Sequence, residues 1–475
     1  MKFLITLSIT LFGTMCSYAQ SCDCKTEYSW LKETFEKNDA GFQYMIDRKG
    51  LEAYNAHSKF IENKVSKITD YYECKEQLEN WVKFFRNNHF SVSLTAQAKK
   101  NQEVIKTYQP VQTSPFVLEK FKKELIGKKE NTIEGIWHSN QLKIAIKKQN
   151  NEFVGSILES KSKYKVNDVV FKLNNDLSSA TYYSSIYKPE TVNGIKYLGN
   201  NILEIGDRVF EREFPVLNYN QNTKEYHQIK SAEKPFGYRK DEHTIYVYIP
   251  SFDENKKEID QLFKNLHSEI IKTENLIIDI RDNTGGQDQS YSSITPYLYT
   301  NPIQMVLAEF YSTDLNNQPI KAIADNPNID AETKKMYQGL YEKLEANKGQ
   351  FVNILSGENV ATIKKDKVFE FPKNIGIIIN ENNLSSAEEF LLMAKQSRKV
   401  KLFGRKTAGA LDVSNMVDVV SPSGDFELSY CVSRSMRIPE NAVDDMGINP
   451  DYYLDSLIWD DQWINKVSEI MSFWK

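Results

Sequence analysis

The sequence predicts an α/β core preceded by an N-terminal helical bundle and an all-β insert domain. In residues 240–475, short apolar runs alternate with helical patterns, which is typical of a buried, partly parallel sheet. The strand-like runs cover residues 244–249, 276–280, 375–379 and 400–403. We assign residues 240–475 to this α/β core.

The N-terminal region, residues 20–100, has helical periodicity. Leu78, Trp81, Val82 and Phe85 recur at i, i+3, i+4 and i+7, so they share one face of a helix. Apolar faces of this kind have to pack against one another, which predicts a small helical bundle.

Residues 130–235 have a different pattern. Residues 142–147 alternate apolar and polar side chains with period two, and further short strands near 153–158 and 169–171 are separated by turn residues. This pattern predicts an all-β insert domain, either a small barrel or a sandwich. Residues 100–130 are interpreted as a connector.

The N-terminus and the overall charge indicate where the protein works. Residues 1–19 combine one lysine, an apolar run and small residues before Gln20, as secretory signal peptides do. No other stretch is apolar enough to span a bilayer, so we expect no integral membrane segment after signal removal. The predicted location is periplasmic, extracellular or surface-associated. The formal net charge of −4 gives no reason to expect nucleic-acid binding.

Four cysteines remain after removal of the signal peptide. An oxidising compartment permits disulfides, so Cys74 is expected to bond with Cys22 or with Cys24, and the sequence does not choose between them. Cys431 lies in a strand-like run and is interpreted as a buried apolar filler.

A serine at the start of a helix is the most informative local feature. The apolar strand 375–379 is followed by Ser385 and Ser386, and a helical pattern begins there. Free backbone N–H groups and the positive dipole end at a helix N-terminus can stabilise an oxyanion. Ser385 and Glu388 also spell a capping box, which is the structural explanation of the same residues.

A glycine turn follows the strand 276–280. Gly285 and Gly286 can bring backbone N–H groups close to a ligand, although an ordinary turn at the end of a strand has the same composition. Two further blocks follow the serine, one with Thr407 and Gly409 and one at residues 446–451.

These four blocks, in this order, resemble the tail-specific (C-terminal processing) serine peptidases, a family that includes the core of the tricorn protease and the interphotoreceptor retinoid-binding proteins. The resemblance covers about residues 240–455 and implies a ClpP/crotonase-like core. It implies that Ser386 is the nucleophile. The oxyanion donors it implies are the N–H groups of Ala387 and of Gly285 or Gly286.

The base departs from the bacterial pattern of this family. Those enzymes use a lysine just after the block Gly-x-x-Thr-x-Gly, but here Gly409 is followed by Ala410, Leu411 and Asp412. His89 resembles the histidine of the tricorn-like branch and is a suitable base at neutral pH. The orienting acid of that branch implies Asp444 or Asp445, with Glu440 as a third choice. As structural alternatives, His89 is a satisfied histidine and the two aspartates belong to a solvated loop.

The sequence therefore predicts an exported serine-type peptidase with a protein or peptide substrate and no cofactor or metal. Ser386 attacks the peptide carbonyl and His89 carries the proton. Two alternatives remain open: a non-catalytic exported binding protein of the same fold, for an apolar ligand or a peptide, and an esterase or amidase that uses the same site.

Overall fold

The computed structural model describes residues 21–474, except 106, 107, 114–116, 127, 129–131, 355, 356, 455 and 456. The predicted signal peptide lies outside the described residues. In the described part of the chain, no helix has the length and apolar character that crossing a membrane requires.

The N-terminal region is helical and packs around aromatic side chains. Phe35, Trp81 and Phe85 are fully buried in its core. A disulfide joins Cys24 to Cys74, which settles the alternative left open by the sequence, and Cys22 is free. The elements are α1 (Cys24–Asn38), α2 (Phe42–Lys49), α3 (Leu51–Val65), α4 (Tyr71–Val82), β1 (Ser91–Leu94), α5 (Ala96–Ile105) and α6 (Leu118–Ile126).

In its described residues, the insert contains nine strands and one helix. They are β2 (Gly135–His138), β3 (Leu142–Gln149), β4 (Glu152–Ser160), β5 (Val169–Asn174), β6 (Ser179–Tyr183), β7 (Pro189–Asn193), β8 (Lys196–Leu198), β9 (Ile202–Ile205), β10 (Arg208–Phe214) and α7 (Gln221–Ser231).

The nine strands form one curled sheet in the order β7-β6-β5-β4-β3-β2-β10-β9-β8. Its two end strands, β7 and β8, are separated in sequence by residues 194 and 195 alone. Because the three residue steps from the end of β7 to the start of β8 span at most about 11 Å, the two end strands must lie close together, so the sheet is barrel-like. The β-rich insert is confirmed, and α7 is a helix that the alternating pattern did not predict.

The core begins with alternating strands and helices and ends with the helix α13, which packs against the main sheet. Its elements are β11 (Phe236–Arg239), β12 (Thr244–Tyr248), α8 (Lys256–Ile270), β13 (Asn275–Asp279), α9 (Thr295–Leu298), β14 (Ile303–Val306), β15 (Ala308–Tyr311), α10 (Gln318–Asp325), α11 (Ala331–Glu345), β16 (Phe351–Val352), β17 (Val360–Ile363), β18 (Asn374–Ile379), α12 (Ser386–Ala394), β19 (Val400–Gly404), β20 (Val413–Val420), β21 (Phe426–Ser435), β22 (Tyr452–Tyr453) and α13 (Trp463–Met471).

The main sheet has the order β11-β12-β13-β18-β19-β22. All pairs from β12 to β22 are parallel, and β11 is the antiparallel edge strand. The predicted α/β core with a partly parallel sheet is therefore confirmed. Since β13 and β18 are parallel neighbours, the turns that follow them lie at the same edge of the sheet.

A second sheet joins the N-terminal helical region to the C-terminal part of the core. β1 pairs with β21, and β21 also pairs with β15 and β20. His89 lies two residues before the start of β1, so this pairing brings His89 to the C-terminal half of the protein. The pairing of β1 with β21 could not be predicted from the sequence, because strand pairing between distant segments leaves no local pattern.

Candidate active site

Ser386 is the first residue of α12, and the residue before it is strained. Ser385 has φ 58° and ψ −131°, a region that non-glycine residues rarely occupy. The side chain of Ser385 makes no capping hydrogen bond, so the capping box that explained these residues structurally is not formed. The Ser386 side chain lies at the edge of a cavity and donates from Oγ to the Gly286 carbonyl oxygen, 2.8 Å away.

The glycine turn lies directly against this serine turn. A Cβ built on Gly285 would lie 2.8 Å from the backbone nitrogen of Ser386, and one on Gly286 would lie 2.1 Å from the backbone nitrogen of Asp253. Both glycines have positive φ, 92° and 135°. Close approach and backbone conformation together therefore require glycine at both positions.

Two buried asparagines hold the turns together. Asn283 accepts the Gly285 N–H at 2.9 Å and donates to the Ile249 carbonyl at 3.2 Å. Asn383 donates to the carbonyl oxygens of Ile280 and Asn283, at 2.6 and 3.0 Å. Asn383 was not predicted as a site residue, although it lies between a buried strand and Ser386 in the sequence.

Of the predicted oxyanion donors, Gly286 is the best placed. The Gly285 N–H is taken by Asn283, and the Ala387 N–H makes a turn bond of 3.1 Å to the Leu384 carbonyl. Gly286 and Phe252 form an isolated parallel β-bridge. In this bridge the Phe252 N–H donates to the Gly285 carbonyl, and the Gln287 N–H donates to the Phe252 carbonyl. The N–H and C=O of Gly286 therefore face the other side, where its carbonyl meets Ser386.

We expect Gly286→Ala to lower the free energy of unfolding by about 2 kcal/mol or more, because its Cβ would collide with the backbone at positive φ. Urea unfolding measures this. The matched control is Gly339→Ala in α11, where nothing lies within 4 Å of the new Cβ, and which should stabilise the helix by about 0.5–1 kcal/mol. Equal effects of the two substitutions would contradict the close approach.

Glu388 holds the loop of residues 407–410 beside the serine. Its carboxylate accepts the Gly409 N–H at 2.9 Å, the Ala410 N–H at 2.8 Å and the Thr407 hydroxyl. Glu388 is fully buried, and burial raises the pKa of its carboxyl to about 7. The adjacent Glu389 does not contact this loop through its carboxylate and pairs with Arg437 instead.

The substitution Glu388→Gln should lower the free energy of unfolding at pH 8 by about 1–3 kcal/mol and should slow reactions of Ser386. An amide replaces one acceptor oxygen by a donor, which leaves a buried donor of this loop without a partner. Urea unfolding gives the first quantity. Glu76→Gln on the exposed face of α4 is the control and should change stability by less than about 0.5 kcal/mol. A Glu388→Gln protein as stable as this control would contradict the role.

His89 lines the same cavity as Ser386. Its Nδ1 lies 2.7 Å from the Val413 carbonyl oxygen. A carbonyl only accepts, so Nδ1 carries a proton, and in the neutral ring the lone pair is on Nε2. Burial, together with the nearby Arg86 guanidinium, lowers the pKa of His89, although the bond to Val413 opposes this.

A buried ion pair fixes the backbone of His89. His89 has φ 54°. The His89 carbonyl oxygen accepts hydrogen bonds from Arg86 Nε and from the Cys431 thiol, each at 3.2 Å. Arg86 is paired with Asp39, which also accepts the Cys431 N–H at 3.1 Å. As predicted, Cys431 is buried, and burial raises the pKa of its thiol to about 12.

The structure places neither predicted acid on His89 Nδ1, which is a correction to the expected contact. Asp444 instead accepts the N–H groups of Leu411, Asp412 and Val413, at 2.6, 2.7 and 3.3 Å. It thus fixes the segment whose Val413 carbonyl meets His89. Asp445 is one-third exposed and forms an ion pair of 3.6 Å with Arg48.

Glu440, the third choice, is exposed. Asp444 does not reach His89 because its carboxylate accepts buried backbone N–H groups of residues 411–413 instead. Without Asp444 these N–H groups would have no acceptor.

The cavity that joins these groups has a volume of about 800 Å³. Its apolar wall is formed by Met305, Val306, Leu307, Phe310, Leu411 and Met416. At the polar end of the cavity, Arg437 and Glu389 form an ion pair with 2.7 Å between Nη2 and Oε2. Asp288 also lines the cavity. Within the described residues, no group of three His, Cys, Asp or Glu side chains is arranged to bind a metal ion.

The family follows from a sequence match in this region. Residues 243–454 match the model of peptidase family S41, so the chain carries a domain of this peptidase family. The predicted tail-specific family is thereby confirmed, and its tricorn-like branch stays a prediction. No curated protein matches the chain.

Solved structures show the same fold. Mature CPAF complexed with lactacystin has 13% sequence identity and a TM-score of 0.51, over 95% of this chain and 97% of CPAF. Mature CPAF in a second structure has 12% identity and a TM-score of 0.51, over 95% of each chain. At this identity the likeness establishes the fold, and the predicted fold class is confirmed.

Proposed function

We propose that this protein is an exported serine peptidase that hydrolyses peptide bonds through an acyl-enzyme on Ser386, with His89 as the general base. One observation carries the proposal: Ser386, His89 and Gly286 line one cavity beside the turn of a peptidase-family domain. The three residues come from distant parts of the sequence, and the strained backbone of Ser385 beside them is of the kind that clusters at active sites.

The proposed reaction begins with proton transfer. Nε2 of neutral His89 accepts the Ser386 hydroxyl proton while Oγ attacks the carbonyl carbon of the substrate. The negative charge that develops on the carbonyl oxygen is stabilised by the Gly286 N–H. The Ala387 N–H becomes a second donor when it exchanges its turn bond to the Leu384 carbonyl for one to this oxygen. For this the hydroxyl must exchange its contact with the Gly286 carbonyl for one with His89.

Breakdown of the tetrahedral intermediate uses the same groups. The protonated His89 gives its proton to the leaving amine nitrogen as the C–N bond breaks, which leaves the acyl group on Ser386. Water then attacks the ester carbonyl while Nε2 of His89 accepts one of its protons. His89 returns that proton to Oγ as the Oγ–C bond breaks, which releases the carboxylic acid and regenerates Ser386. The Val413 carbonyl remains on Nδ1 throughout and stabilises the imidazolium, which Asp444 supports by fixing the backbone at Val413.

Export is part of the proposal. The sequence pattern of residues 1–19 supports it, and so does the Cys24–Cys74 disulfide, because disulfides persist mainly in oxidising compartments. The N-terminal sequence of the protein recovered from the producing cells tests it. A chain that begins at Gln20 is expected, and a chain that retains residues 1–19 would contradict export.

The activity is tested with unfolded, carboxymethylated casein and with p-nitrophenyl butyrate. New casein peptides identified by mass spectrometry, formed by the unaltered protein and not by Ser386→Ala, are the expected result. Hydrolysis of the ester without casein cleavage would favour an esterase. If neither substrate is hydrolysed while retinol is bound, the non-catalytic carrier is the better explanation.

A further inference from the structure

Strand β14 has an open edge that faces the cavity of Ser386. Its other edge pairs with β17, where Val306 lies opposite Val360. The Leu307 N–H donates to the Asn359 carbonyl at 2.9 Å. Because bonded and non-bonded pairs alternate along an antiparallel ladder, the N–H and C=O of Val306 point away from β17.

At Gln304, two residues before Val306 on the same edge, the side-chain amide of Gln396 pairs with the backbone as a peptide group would. The Gln304 N–H donates to Oε1 of Gln396 at 2.8 Å, and Nε2 of Gln396 donates to the Gln304 carbonyl at 2.8 Å. Residues 304 and 306 face the same edge, since side chains and backbone groups repeat every two residues in a strand. Among the described residues, nothing pairs with the backbone groups of Val306 in the same way.

We propose that the Val306 edge binds the extended backbone of the peptide substrate as an added strand. Gln396 closes the edge at Gln304 and so limits how far the bound segment extends on that side. The inference rests on the proposed function and specifies its substrate as an unfolded, extended segment. The apolar wall from Met305 to Phe310 and Met416 favours apolar side chains in that segment.

Main-chain pairing explains how the cavity would distinguish a peptide from a small ester. Val306 offers one donor and one acceptor at the spacing of a strand. The backbone of a peptide can satisfy both, whereas an ester group has no N–H to donate to the Val306 carbonyl. An ester that reaches Ser386 without a backbone gains nothing from this edge. A small phosphonate probe at Ser386 is likewise independent of it.

The experiment compares Val306→Pro with Val360→Pro. Proline removes one N–H and is tolerated at strand positions whose N–H is outside the ladder. The two valines are cross-strand partners, but the Val360 N–H faces the edge remote from β14. Val306→Pro should raise KM for casein-derived peptides about 10-fold, as expected for one lost hydrogen bond, and leave fluorophosphonate labelling of Ser386 within about twofold. Val360→Pro should change neither quantity.

Substrate N-methylation gives a second measurement on the unaltered protein. In a cleaved peptide that is N-methylated at one backbone nitrogen at a time, one position should lose about 10-fold in kcat/KM. The inference is overturned if Val306→Pro keeps its KM, if both proline variants lose activity alike, or if every N-methyl position is neutral. Failure of the unaltered protein to cleave any peptide would instead overturn the proposed function, and this inference with it.

Discussion

Ser386→Ala should abolish labelling by a fluorophosphonate probe and lower kcat/KM for peptide hydrolysis by at least about 10⁴-fold, because the acyl-enzyme cannot form without the hydroxyl. Ser386 and Ser385 are adjacent, so the labelled residue has to be identified by mass spectrometry of the modified peptide. The folded structure should be unaffected, since Ser386 makes one side-chain hydrogen bond, to the Gly286 carbonyl.

Ser385→Gly is the control for this prediction. Ser385 has positive φ and an uncapped helix N-terminus, so glycine relieves strain and should leave labelling intact while stabilising the fold by about 1 kcal/mol. Labelling that survives in Ser386→Ala, or that disappears in Ser385→Gly, would show that the nucleophile has been assigned to the wrong serine.

His89→Asn should lower kcat/KM by at least about 100-fold, since a general base contributes on the order of 10²–10⁴ to such reactions. Asparagine is chosen because it tolerates the positive φ of His89 better than other residues and has no group that can act as a base at neutral pH. Steady-state hydrolysis of a casein-derived peptide measures the loss.

The matched control is His243→Ala, which removes an exposed histidine that lies outside the cavity. Its kcat/KM should equal that of the unaltered protein. If His89→Asn retained near-full turnover, the base would have to be sought elsewhere, and the tricorn-like interpretation would fail with it.

The sequence predicted the parts of this site that depend on local pattern. The strands at 276–280 and 375–379, the glycine turn and the helix beginning at Ser386 each combine a hydrophobic run with turn or helix-start residues. Such features are encoded within ten residues, and they were placed correctly. Parallel pairing of β13 and β18 then brings the two turns together without further information.

What the sequence could not predict depends on long-range contacts. The Val413 carbonyl on His89 comes from the pairing of β1 and β20 with β21, which joins segments more than 300 residues apart. Asp444 was predicted as a direct partner of His89 because a carboxylate is the usual one. Its neighbouring backbone N–H groups compete for the same oxygens, and the geometry of the loop decides the outcome.

Glu388 and Glu389 show the same limit on a smaller scale. Adjacent residues on a helix point about 100° apart, so one faces the loop of Thr407 and the other faces Arg437. A motif identifies the pair of glutamates, but only the packing of β19 and the following loop decides which of them holds that loop.

The claim that His89 activates Ser386 is tested most directly by the pH dependence of the rate at which a fluorophosphonate labels Ser386. Neutral imidazole is required, and burial lowers the pKa of His89, so the rate in the unaltered protein should rise with pH through one ionisation below about 6.5 and then stay level. In His89→Asn the rate should be at least about 100-fold lower and should lose that ionisation. A rate that is the same in both proteins, or that rises only above pH 8, would contradict the assignment of His89 as the base.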